Sequence, residues 1–185
     1  MFNDRYGLTD AVLYGRKTMT RRVIPKDIAE TLIIEGDDVF PDIPCEGLME
    51  YSRYKVGEVV AVAQSYCQVF DTEAKFRAAE RKVGQVLEAG YRNKMFVKAE
   101  LMPHRIRITD IRVERLQDIS DEDCLREGVM AESIFNDNDY CTFLGSKCAF
   151  KSPRGAFAAL IDKVSGKGTW ESNPFVWVYS FELIK

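Results

Sequence analysis

The densest run of reactive side chains in this sequence is Gly15-Arg16-Lys17-Thr18-Met19-Thr20-Arg21-Arg22. On a strand, side chains alternate, so Thr18, Thr20 and Arg22 share one face while Met19 and Arg21 share the other. Lys17 reaches the Thr20 side only from the turn before the strand, a turn that Gly15 permits. A threonine hydroxyl is a weak nucleophile until an adjacent base takes its proton, and a neutral lysine amine can be that base. The neighbouring arginines favour loss of the lysine proton, because like charges disfavour the ammonium form. The plainer account of the same residues is a solvated cationic face on a strand whose threonines have good strand propensity.

The elements that must position these groups belong to one domain. The chain has 185 residues, 46% hydrophobic and 30% charged, which is the balance of a globular protein and not of a disordered or fibrous one. No apolar run reaches the roughly 18 to 20 residues of a membrane-spanning helix, and the mixed, polar start Met1-Phe2-Asn3-Asp4-Arg5 does not read as a secretory signal. A cytoplasmic protein is expected. The net charge is −3, so the chain is no bulk polycation for nucleic acid. Gly15 to Lys26 nevertheless carries Arg16, Lys17, Arg21, Arg22 and Lys26 with no acidic residue, enough for a local positive patch. The single histidine, His104, excludes His-rich metal relays. Cys45, Cys67, Cys124, Cys141 and Cys148 are odd in number without a C-x-x-C pair, which reads as free thiols. Neither a metal nor an organic cofactor is implied.

A short helix is expected from Leu8 to Tyr14, stopped by Gly15, then a strand from Thr18 to Ile24 ended by Pro25. Residues 25–55, with Gly36, Pro41, Pro44 and Gly47, read as an irregular insertion into the core fold. The valine-rich Glu58–Tyr66 reads as a buried strand, Asp71–Gly90 as an added helix and Lys94–Ala99 as a short strand. From His104 to Leu116, Ile106 and Ile108 lie on one parity and Ile111 and Val113 on the other, which calls for a bulge near Thr109-Asp110. Ser120 caps a two-turn helix that Gly128 stops, and Ser152-Pro153 opens a helix with its apolar face at Phe157, Leu160, Ile161 and Val164. Residues 131–151 show no clear period. Phe175–Ile184, apolar on both parities, predicts a central strand covered on both faces. Irregularly interspersed strands and helices fit an α+β fold, a small mixed barrel with peripheral helices; a doubly wound sheet would alternate regularly.

Three stretches, GRKTMTRRVI, RITDIRVERLQDISDEDCLREGV and AFAALIDKVSGKGTWESNPFVWVYSFELI, resemble the ASCH-domain family of PUA-like barrels, in the order that family leads one to expect. They cover under half the chain. One branch of that family hydrolyses the acetyl amide of N(4)-acetylcytidine with a threonine, a lysine and a glutamate. The resemblance carries these roles onto Thr20 as nucleophile, Lys17 as its base and Glu127 as the proton shuttle to the leaving amine. The chain departs from many phage-type members where Gly57-Glu58-Val59-Val60-Ala61-Val62-Ala63-Gln64 replaces a Gly-Asp-x-Leu-Trp-Val-Arg-Glu run.

Glu127 also has a reading of its own. At the end of its helix the carbonyl ends disfavour a carboxylate, which eases protonation, but an ion pair with Lys17 would hold that lysine protonated. Further ligand contacts are expected from Arg16, Arg21 and Arg22, from Arg105 and Arg107 in a second cationic series, and from Trp170 in a Gly-rich loop. Interleaved Asp110 and Glu114 make pairing within the sheet an equally good account of that second series. A PUA-like domain that recognises a nucleobase, nucleoside or RNA is the leading expectation, with amide hydrolysis as a second step. A non-catalytic RNA-binding module, or a phage-derived protein acting on a protein partner through residues 25–55, are the alternatives.

Overall fold

The computed structural model describes residues 2–29, 50–134 and 138–184, so most of the expected insertion at 25–55 lies outside the described residues. Six strands, β1 (Met19–Val23), β2 (Val59–Ala61), β3 (Arg105–Arg115), β4 (Met130–Ile134), β5 (Asn138–Thr142) and β6 (Phe175–Ile184), are described. Between them lie helices α1 (Leu8–Leu13), α2 (Tyr66–Val69), α3 (Glu73–Val83), α4 (Asp121–Arg126), α5 (Pro153–Ser165) and α6 (Thr169–Ser172). The main sheet is antiparallel in the order β1-β6-β3-β2 and curls into half a barrel; β4 and β5 form a separate hairpin.

β6 is central, as its pattern predicts, and its parities divide the core. Val176 and Val178 face α5 with Met19, Phe157 and Leu160, while Trp177, Tyr179 and Phe181 face the opposite cluster with Ile106, Ile108 and Ile111. The β3–β6 register shifts between Ile108 and Asp110, which turns Ile111 onto the face already held by Ile106 and Ile108. Ser120 Oγ accepts the Asp123 N–H, and Ser152 Oγ accepts that of Gly155, so both expected caps form.

Elsewhere local chemistry overrides the sequence pattern. The strand expected over Glu58–Tyr66 stops at Ala61, because Ser65 and Gln68 form a capping box that starts α2. The expected Asp71–Gly90 helix ends at Val83, where Gly84 takes φ 67°. Lys94–Ala99 is not a strand: Asn93 caps a 3-10 turn over Lys94–Phe96, and a second turn follows at Ala99–Leu101. Residues 131–151, without a legible period, contain the β4–β5 hairpin. The segment from Tyr66 to Met102 packs as a satellite core of Tyr66, Phe76, Leu87 and Met102. Gly90 is required there, since a Cβ on it would stand 2.4 Å from the Tyr66 ring. Among the described residues no helix is long and apolar enough to cross a membrane.

Candidate functional site

Gly15, at φ 73°, reverses the chain after α1, and the Lys17 N–H bonds back to the Ala11 carbonyl. This delivers the Lys17 side chain beneath the C-terminus of α4. There Nζ donates to the Glu127 carbonyl at 2.7 Å and to Glu127 Oε2 at 2.6 Å. A cation at a helix C-terminus satisfies an orphan carbonyl and opposes the helix dipole. Both partners are buried, Lys17 at 2% exposure and Glu127 at 4%. Burial lowers the Lys17 pKa from its ordinary value, and Arg22 and Arg21 push the same way; the charge and hydrogen bond of Glu127 oppose this and do not overcome it. The anticipated Lys17–Glu127 ion pair forms, and it opposes a net lowering in which burial is the largest cause.

Lys17, Thr20, Arg21, Arg22 and Glu127 all line one cleft of about 370 Å³. β1 is the outer strand of its sheet, so side chains of both parities reach this space: Thr20 and Arg22 opposite Tyr179 and Trp177, Arg21 opposite Val178. α5 supplies an apolar wall of Phe157, Leu160, Ile161 and Val164, and the N-terminal residues Phe2, Asn3 and Asp4 with Lys94 close another side. Polar groups converging against an apolar wall are the usual composition of a small-molecule site.

Behind the cleft lies a buried charge network. Arg21 sits beside Val178 in the sheet, with Arg112 on the other side of that residue. The Arg21 guanidinium donates to Glu114 Oε1 at 2.6 and 2.8 Å, to Asp123 Oδ2 at 3.0 Å and to Glu127 Oε1 at 3.2 Å. Arg112 donates to Glu114 at 3.0 Å and to Asp123 at 2.5 Å, and Arg126 reaches Asp123 at 3.4 Å and Thr18 Oγ1 at 3.2 Å. Burial would lower the Arg21 pKa, but the surrounding carboxylates raise it instead. Burial would raise that of Asp123, yet the Arg21 hydrogen bond and the charges of Arg21, Arg112 and Arg126 lower it. Among the described residues every buried side-chain nitrogen and oxygen has a partner.

The three residues assigned to chemistry and the flanking Arg21 and Arg22 are thus gathered at one cleft. Arg16 is exposed in the turn and outside the cleft lining; Arg105 is exposed on β3, as is Arg107, whose guanidinium pairs with Glu182 at 3.1 Å. Trp170 also lies outside the lining. It sits on α6, edge-on to Phe157 with ring centroids 6.2 Å apart and Arg154 over its ring at 5.4 Å. The sequence reading missed Phe2, Asp4 and Lys94 as cleft residues, and no local signal marks them, because only the docking of the 66–102 segment brings Lys94 to the N-terminus. Of the thiols, Cys124 is buried and its pKa is pushed up to about 12 by desolvation, which leaves it inert, and Cys141 and Cys148 are unbridged. Among the described residues no group of His, Cys, Asp and Glu is arranged to hold a metal ion. Compared with family models, curated proteins and solved structures, the chain matches none.

Proposed function

We propose that the curled half-barrel is a PUA-like barrel of the ASCH type, and that its cleft takes an N-acylated cytidine nucleoside or base and hydrolyses the exocyclic amide. The observation that carries this reading is Lys17, a lysine whose ammonium form is disfavoured by burial, in the wall of a cleft that it shares with a threonine. A neutral amine has two N–H donors and one lone pair, and the two contacts to Glu127 use the donors. The lone pair is then available to the Thr20 hydroxyl. In this scheme Thr20 Oγ attacks the amide carbonyl as its proton passes to Lys17 Nζ. The tetrahedral adduct collapses, the C–N bond breaks, and the departing amine takes a proton relayed from Lys17 through Glu127. Water then cleaves the threonine ester, giving the carboxylate and restoring Thr20.

Incubation with N(4)-acetylcytidine is expected to release cytidine and acetate, with Thr20→Ala and Lys17→Ala each lowering the rate by at least about 10²-fold while retaining the wild-type circular dichroism. Persistent turnover in either folded variant removes the mechanism. A non-catalytic RNA-binding role rests on the exposure of Arg16 and Arg105; it expects an affinity that falls steeply with salt and is indifferent to Thr20→Ala.

A further inference from the structure

One part of the cleft lining is built from two distant parts of the chain. Phe2, Asn3 and Asp4 form a strap, and Lys94 reaches it from the 66–102 segment. Lys94 Nζ donates to the Phe2 carbonyl, to Asp4 Oδ1 at 2.6 Å and to Thr9 Oγ1 at 2.9 Å, so all three ammonium donors are engaged on the strap and the helix behind it. Its side chain is only 14% exposed. Thr9 is buried and donates to the same Asp4 oxygen at 2.5 Å, which fixes that carboxylate between two partners. The strap so held sets the Phe2 ring against Phe181, with centroids 5.7 Å apart, and 6.0 Å from Lys17 Nζ. At that distance a cation–π attraction is at the edge of its range. Lys17 itself is 2% exposed, and the ring is one of the groups beside its amine.

We propose that Lys94 is a positioning residue, a latch that holds the N-terminal strap closed and thereby keeps Phe2 over Lys17. The assignment of Lys17 as a base rests on the function proposed above; the latch itself does not. Lys17 is faced by Glu127 from the end of α4 and by Arg21 and Arg22 from β1, with Asp4 and Lys94 in the same cleft wall. Of these, only the Lys94–Asp4 pair belongs to the strap, so loosening it admits water to Lys17 without removing any of the charges that bear directly on it.

The test follows the protonation of Lys17 by NMR titration of its side-chain Cε and Nζ signals in the full-length protein, assigned by their loss in Lys17→Met. Lys94→Met is expected to raise the Lys17 titration midpoint by about one pH unit, since burial is the dominant shift. Lys94→Arg, which keeps the charge and donors, is expected to leave it near wild type. Phe2→Ala, which removes the ring and keeps the latch, is expected to reproduce the shift, and the double variant to add little. With N(4)-acetylcytidine, Lys94→Met is expected to lose about tenfold in rate at neutral pH and to recover as pH rises. Folded Lys94→Met or Phe2→Ala protein with an unmoved Lys17 titration overturns the latch. Absence of turnover by the wild type overturns the proposed hydrolysis alone, because the titration reads Lys17 without substrate.

Discussion

Replacing Arg21 with methionine is expected to destabilise the fold by about 3–5 kcal/mol at neutral pH, the usual consequence of leaving buried charge without its partner. Arg21 is 4% exposed and is the cation shared by Glu114, Asp123 and Glu127. Without it Asp123 keeps Arg112 and Arg126, and Glu114 keeps Arg112, but both of those arginines are 39% exposed at the side chain and reach in from the rim. Methionine has about the right bulk for the space beside Met19 and Phe157, so lost packing contributes little. Denaturant unfolding of the wild type and of Arg21→Met at pH 7 measures the difference.

The same pair of proteins carries a pH signature whose sign is fixed by Asp123. Its folded pKa is lowered below the ordinary carboxylate value by the arginines around it. The stability it contributes is therefore complete above its unfolded pKa of about 3.9 and drains away as pH falls through the folded value. With Arg21 removed, less of that contribution exists to be lost. The stability gap between wild type and Arg21→Met is accordingly expected to narrow below about pH 4. A gap that stays constant to pH 3 would mean that Arg21 acts through packing and not through its charge.

Arg21 also marks where the sequence stops being legible. The alternation that sets Arg21 and Met19 opposite Thr20 and Arg22 is local, and β1 obeys it. So are the bulge between Ile108 and Asp110, the Ser120 and Ser152 caps and the two-sided apolar pattern of β6. Each follows from side-chain periodicity or capping within a dozen residues. What Arg21 meets is not local: Glu114 and Asp123 lie 93 and 102 residues away, and only the neighbouring placement of β1, β6 and β3 brings them together. A lone arginine in a basic run reads as a ligand contact, and the buried carboxylates that engage it are invisible until the sheet is closed. The misread segments have a different cause. At Ser65, Gly84 and Asn93 a single capping residue overrides an apolar pattern that would otherwise extend the strand or the helix.

Lys17 and Glu127 present the opposite energetic case, and a double-mutant cycle is expected to expose it. Lys17→Met alone leaves the Glu127 carboxylate at 6% side-chain exposure with only the 3.2 Å contact to Arg21. Glu127→Leu alone leaves the buried Lys17 amine with one of its two contacts, the main-chain carbonyl at position 127, and with Arg21 and Arg22 nearby. Lys17→Met is expected to cost about 3–5 kcal/mol, because the Glu127 charge stays buried without its nearest partner, and Glu127→Leu about 1–3 kcal/mol, because a buried N–H loses its acceptor. The double variant Lys17→Met/Glu127→Leu removes the buried amine and the buried carboxylate together and keeps apolar volume against Leu8 and the α5 wall. It is expected to be at least about 2 kcal/mol more stable than the sum of the singles, and close to wild type. Lys17 adds a pH dependence to the cycle. Its folded pKa lies below its unfolded value, so the unfolded chain holds the proton more tightly and stability rises with pH between those two values. Both the Met variant and the double variant lack that rise. Wild-type stability without turnover in the double variant would mean that the pair is kept for what Lys17 does in the cleft, since the fold does not need it. A double variant as unstable as the summed singles would instead make Lys17 a structural cap of α4.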